Sequence, residues 1–300
     1  VIAEQYGIAF PGQGITAQTL RSALWAHVRH PLVARLLTTF GAADPEALDL
    51  GDTSVVQPAT FAAGLAAAHT AFGPDHRPPV ALGHSLGELT AAAYAGFLRT
   101  DEGFELAVDR GRLCRDQSLR RPGAMVAIVG ADAGELEWLR RSVVAEHGEI
   151  LDVAGLNSAR QTVLSGAPEA VAAAVRIAEE QCLRAEVLPI PGGFHSPLMM
   201  DAVPAWRRRL ESADFRPSTT RFVSAIDVRP HTDPVQVREQ LARGLVLPVR
   251  WHEAVRTVRD LDVPGLVDAG PGTTLLKLGR RARILKFTGL GALPEPVPPG

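Results

Sequence analysis

Lysine is nearly missing from this 300-residue chain. Of its 31 lysines and arginines only Lys277 and Lys286 are lysine, a bias that reflects coding composition rather than function. Cysteine is as scarce. Cys114 and Cys182 both lie in apolar stretches of helical spacing, and neither belongs to a Cys-x-x-Cys pair. A disulfide framework or a zinc site is therefore not expected, and a reducing cytoplasm fits. No apolar run reaches the roughly 18 residues of a membrane span, and no basic-then-apolar targeting pattern opens the chain. Excess charge is lacking too: the formal net charge is −2, which does not favour nucleic acid as a partner. No repeat recurs at a fixed period. The expectation is a cytoplasmic monomer without membrane contact, built as one large domain or a domain with an insert. The last residues, "PEPVPPG" (294–300), read as an extended tail or a linker remnant.

What is present is an alternation of short apolar strands and longer helices. Tyr6–Phe10 reads as a strand ending in "PGQG", and helical patterns follow to Phe40. Pro58 opens a helix with Phe61, Leu65, Ala68 and Phe72 at helical spacing. Val80–Leu82 reads as a buried strand, Gly83–Gly87 as a turn, and Leu89–Leu98 and Asp101–Leu119 as helices. Such alternation predicts an α/β fold with a mostly parallel sheet. The middle differs. Strands are expected at Ala124–Val129, Ile150–Ala154, Gln161–Leu164 and Ala185–Ile190, with helices at Ala133–His147 and Glu169–Leu183. That β-α-β-β-α-β order is ferredoxin-like. It looks inserted, giving a large domain of 1–122 and 194–300 and a small subdomain of 123–193.

The turn between the Val80 strand and the Leu89 helix reads "GHSLGE", Gly83–Glu88. Gly-x-Ser-x-Gly in that context is the signature of a nucleophile elbow. The glycines allow a tight turn that leaves the Ser85 hydroxyl at its tip. The Leu86 N–H points the same way from the helix start, where it and the helix dipole favour an oxyanion. The alternative is a structural serine in a tight turn.

Two further candidates follow from position. The Leu89 and Asp101 helices are joined so closely that an antiparallel hairpin is expected. Ser85 lies about as far before this hairpin as Arg110 lies after it, so Arg110 returns to the height of Ser85. A guanidinium there would bind a carboxylate bidentately; otherwise it is a solvated helix arginine. A serine nucleophile also needs a base. Of nine histidines, His84 adjoins Ser85 and reads as structural. His195, in "PIPGGFHSPLM", follows a strand end and a Gly-Gly bend, the best-placed position for an α/β active site.

Together these residues resemble the malonyl-CoA:acyl carrier protein transacylase family. The matching pieces are "FPGQG" (10–14), "QPA" (57–59), "GHSLGE", "RGRL" (110–113), "GFHSPLM" (193–199), "LPVRW" (247–251) and "DAGPG" (268–272). The resemblance implies an α/β-hydrolase-like large domain with an inserted ferredoxin-like subdomain. It implies that Ser85 is acylated, that His195 is its base, and that the backbone N–H groups of Gln13 and Leu86 form the oxyanion hole. Arg110 would grip a malonyl carboxylate. The Arg250 backbone carbonyl would orient His195, making a Ser-His dyad with no acidic member, and Asp268 would be structural. Asn157 and Gln57 would line the substrate site.

The implied reaction is ping-pong acyl transfer from an acyl-CoA to the thiol of an acyl carrier protein, with no metal or cofactor. Phe194 and Leu86 resemble malonyl-selective members; Phe194 is otherwise a packing residue. Gly192-Gly193 is smaller than is usual there, which leaves room for a larger acyl chain, and "PGQGITAQ" departs from the family's common "PGQGxQ". The rival readings are a discrete transferase moving a larger acyl or aminoacyl group between carriers, a serine esterase or thioesterase, and a catalytically dead docking module. The Arg-rich stretches Trp206–Ser212 and Gly279–Arg283 are either docking surfaces for an acidic carrier or solvated helix faces.

Overall fold

The computed structural model describes residues 5–292, so the proline-rich stretch 294–300 lies outside the described residues. Two sheets organise the chain. The larger has six strands: β1 (Gly7–Phe10), β2 (Val80–Gly83), β7 (Arg221–Val223), β8 (Pro230–His231), β9 (Leu266–Asp268) and β10 (Phe287–Gly289). Their order is β10-β9-β1-β2-β7-β8, and only β8 runs antiparallel to its neighbour. The chain leaves β1 toward β2 on one side and comes back to β9 on the other. A parallel sheet opens a crevice at such a switch point, outside the carboxyl ends of its strands. Phe10 pairs with Gly83 there, which sets "PGQG" beside "GHSLGE".

Side chains alternate across these strands. Ile8, Phe10 and Ala81 join the core on one face, while Ala9, Val80 and Leu82 join a second core on the other. The first core holds the long helices α3 (Thr53–Phe72) and α5 (Thr100–Arg120) and the short α4 (Gly87–Tyr94). α3 is apolar nearly all round, which suits a buried helix. The second core takes Trp251, Val255 and Val258 of α10 (Trp251–Arg259) and Leu275 and Leu278 of α11 (Thr274–Ala282). Fully burying one such aliphatic side chain contributes about 1.5–3 kcal/mol.

The smaller sheet has four antiparallel strands: β3 (Ala124–Val129), β4 (Leu151–Ser158), β5 (Gln161–Gly166) and β6 (Arg184–Val187), in the order β4-β5-β3-β6. Helices α6 (Ala133–His147) and α7 (Pro168–Glu180) pack on it over their own core. The expected β-α-β-β-α-β succession is present, and β3 and α6 have the expected bounds.

Other boundaries differ for local reasons. α3 begins five residues before Pro58, because Asp52 caps it by accepting from the Ser54 N–H at 2.8 Å. α4 stops at Tyr94, since Gly96 turns left-handed at φ +89° and ends the helix. Cys182 lies beyond α7, exposed in a left-handed turn at φ +56°, rather than on a helix. Both cysteines are free thiols.

Candidate active site

The elbow at Ser85 is a consequence of glycine. A Cβ on Gly83 would stand 1.9 Å from the Gly87 carbonyl carbon, and one on Gly87 would stand 2.0 Å from the Phe10 oxygen. Both contacts are with backbone, which cannot move aside. Gly12 plays the same part from the β1 side, where a Cβ would meet the His84 oxygen at 2.6 Å. This crossing holds Ser85 at φ +55°, a left-handed conformation costly for a residue with a side chain. Among the described residues the Leu86 and Gln13 backbone N–H groups have no hydrogen-bond acceptor. The Leu86 side chain is buried in the core, so only its backbone faces the site.

His195 arrives from 110 residues further along the chain. Its Nε2 stands 2.7 Å from the Ser85 Oγ. It too is left-handed, at φ +57°. Ser196 clamps the bend by donating to the Gly193 carbonyl at 2.6 Å while accepting from the Leu198 N–H. Gln117, two turns beyond Arg110 on α5, donates to the Leu198 carbonyl at 2.6 Å. Burial, and then the nearby Arg110 charge, push His195 down to about 3, against a stabilising backbone bond to Leu247. The imidazole is therefore neutral at neutral pH and free to accept a proton.

The acceptor for His195 Nδ1 is the Leu247 carbonyl, at 3.0 Å, and not that of Arg250. Arg250 directly precedes α10, and its carbonyl is taken by the Ala254 N–H of the first helical turn at 2.9 Å. Its side chain pairs with Glu253. Leu247 ends the preceding turn, where its N–H bonds to the Arg243 carbonyl and its own carbonyl is left to the histidine. Asp268 is buried and accepts from the Gly270 and Leu276 N–H groups, a structural cap as expected.

Arg110 is 7% exposed, and its only hydrogen bond among the described residues is to Gln57 Oε1 at 2.6 Å. Gln57 Nε2 bonds onward to Gln13 Oε1 and to Thr53 Oγ1, which also accepts from Gln13 Nε2 at 2.8 Å. Gly111 lets α5 approach closely enough for this: a Cβ there would meet the Ser54 Cα at 3.0 Å. A buried cation whose one hydrogen-bond partner is an amide is an unfinished ion pair. Asn157 Oδ1 lies 2.9 Å from His84 Nε2, so it meets the histidine beside Ser85. His84 is half-buried, with its ring tilted against that of Trp251 at 5.6 Å between centroids.

Phe194 is buried with its ring over Gly192; a Cβ on Gly192 would stand 2.8 Å from its Cε1. Gly193 is as crowded, since its Cβ would meet Leu198 Cδ1 at 2.5 Å. A side chain does not fit at Gly192-Gly193, where Phe194, Leu198 and Ser118 stand close, but Gly192 borders a cavity of about 410 Å³ together with Thr53, Ser118 and Gly123. Sequence reasoning missed Thr53, Ser196, Gln117 and Leu247. Gln117 lies seven residues after Arg110, on the same face of α5, and that spacing was the one available signal.

Comparison with known proteins places the chain in a family. Residues 37–283 match the family model described as acyl transferase domain. The chain belongs to that family and is an acyltransferase. Within it, the chain belongs with the malonyl-CoA:acyl carrier protein transacylases. The Haemophilus influenzae malonyl CoA-acyl carrier protein transacylase is 31% identical over 93% of this chain and 92% of its own length. The solved acyl-carrier-protein S-malonyltransferase of Burkholderia pseudomallei is 27% identical, with a TM-score of 0.85 over 95% of this chain and 96% of that one. A malonyl-transacylase solved in complex with a type II polyketide acyl carrier protein, PlMCAT with AntF, is 27% identical, with a TM-score of 0.80 over 95% of both chains.

Proposed function

We propose that the protein transfers a malonyl group from CoA to the thiol of an acyl carrier protein through an acyl-Ser85 intermediate. The observation that carries the acyl identity is Arg110: a buried guanidinium, joined through Gln57 to Gln13 of the "PGQG" loop, with no ion pair to a carboxylate among the described residues. In this reading His195 removes the Ser85 proton as Oγ attacks the thioester carbonyl. The Gln13 and Leu86 N–H groups hold the oxyanion. CoA leaves as the thiol, taking the proton back from His195. The carrier thiol then repeats the sequence on the ester in reverse, a ping-pong exchange. Ser85, His195 and the two N–H groups meet each chemical need, so the reading includes no metal or cofactor. Phe194 is assigned to crowding the C2 substituent, and Asn157 to holding His84 at the edge of the acyl site.

The reading extends to the architecture and setting. The larger sheet with its helices is assigned as α/β-hydrolase-like (1–122 and 194–300), and the smaller as a ferredoxin-like subdomain (123–193). A monomer in a reducing cytoplasm suits two free thiols. Of the two Arg-rich stretches, the first is largely self-neutralised, through Arg207–Glu239 and Arg209–Asp109. Arg280, Arg281 and Arg283 of the second are exposed and lack an ion pair among the described residues, which supports reading this face as the one that meets an acidic carrier.

Intact-mass measurement after incubation with malonyl-CoA tests the function. A malonyl adduct is expected, absent in Ser85→Ala. Arg110→Ala should lose malonyl transfer by about 10²-fold more than acetyl transfer, as expected for a lost bidentate ion pair. An adduct only from larger acyl thioesters, or hydrolysis without transfer, would overturn the malonyl transferase reading.

A further inference from the structure

Glu88 closes the "GHSLGE" motif, yet the mechanism above gives it no task. It lies in the first turn of α4, three residues after Ser85, and is 2% exposed. Its Oε1 accepts two hydrogen bonds, from the Ala225 N–H at 2.7 Å and the Ser224 hydroxyl at 2.9 Å. These two residues follow β7 directly. Ala225 then passes the connection on, because its carbonyl accepts from the Arg250 N–H at 2.7 Å. Three residues before Arg250, the Leu247 carbonyl accepts from His195 Nδ1, and His195 Nε2 meets Ser85 Oγ. The path thus starts and ends at the nucleophile. The other carboxyl oxygen faces the same segment: a methyl group on Gly244 would stand 3.4 Å from Glu88 Oε2.

We propose that Glu88 is a positioning residue, tying the nucleophile's helix to the segment that orients the base, so that one hydrogen-bonded ring sets the Ser85–His195 distance. The inference rests on Ser85 and His195 being the reacting pair. Burial is the main cause that raises the Glu88 carboxyl to about 8, with Asp227 adding to it against Ala225, Ser224 and Arg110. The group is then neutral at neutral pH, and its task is to accept two hydrogen bonds. A glutamine can do the same; a leucine cannot.

The test is the rate at which a fluorophosphonate labels Ser85, followed by intact mass. In that step Oγ bonds to phosphorus, fluoride leaves and His195 takes the proton. Glu88→Leu should slow labelling about 10²-fold, the scale of a misplaced reacting pair. Its acid limb should also move, because His195 loses its fixed acceptor. Glu88→Gln should stay within about threefold of the wild type, and Ser224→Ala should lose about three- to tenfold, one hydrogen bond's worth. If Glu88→Leu does not fold, Ser224→Ala and Glu88→Gln decide. Wild-type rates in Glu88→Leu or Ser224→Ala, or a Glu88→Gln as slow as Glu88→Leu, would overturn the inference while leaving the dyad intact. An unlabelled wild type would overturn the dyad and the inference together.

Discussion

Ser85 and His195, which meet at 2.7 Å, are held by different physics. Ser85 is fixed within its own turn, by glycines whose missing Cβ atoms let three stretches of backbone cross. His195 is fixed from a distance: Ser196 and Gln117 clamp its bend, and the carbonyl of Leu247, 52 residues later, holds its ring. A local steric constraint is all or nothing, whereas a constraint spread over several hydrogen bonds loses strength in steps. Each half should therefore fail in its own way.

The largest expected effect follows from Gly87→Ala. Its methyl group meets the Phe10 carbonyl at 2.0 Å, and no side-chain motion relieves that. Labelling of Ser85 should fall more than about 10³-fold, or the protein should fail to fold. Gly193→Ala, on the histidine side, meets only the far end of Leu198. It should cost about 1–3 kcal/mol of stability, read as a lower Tm, with labelling kept within about tenfold. Equal damage from both would erase the distinction.

A smaller effect concerns pH. His195 is held down to about 3 from 6.5, first by burial and then by Arg110. A base with a lowered pKa stays neutral as pH falls through 6.5, so the acid limb of the labelling rate should lie at least about one unit below 6.5. Arg110→Ala should move the limb upward. The same shift makes folding stability fall as pH drops from 6.5 toward 3, where the unfolded chain binds the proton first. A limb at 6.5 would mean a solvated histidine. The smallest effect is Arg250→Ala, which removes the ion pair to Glu253 but leaves the backbone N–H and carbonyl in place, and should keep transfer within about twofold; a large loss would mean that the Arg250 side chain itself acts in transfer.

Legibility in the sequence tracks the same division. The elbow was readable because its cause, two glycines around a serine between strand and helix, is contiguous. Arg110 was readable from helical spacing, and the order of the small sheet's elements from their apolar patterns. The Leu247 carbonyl was not readable, because every residue has a carbonyl and the side chain above it says nothing about which one is free. How closely Gly192-Gly193 is approached was not readable for a related reason. A missing side chain marks either empty space or a close approach, and only the positions of Leu198 and Phe194 distinguish the two.

The bridge between the sheets has a practical consequence. Val249 donates to the Ala154 carbonyl and accepts from the Leu156 N–H, so β4 of the smaller sheet grips the segment carrying Leu247. A chimera that exchanges the smaller sheet for a relative's, to import a new acyl preference, would also exchange the splint on the base. Grafts that keep residues 154–157 and 247–250 from one parent should work at the parent's rate; grafts cut between them should not.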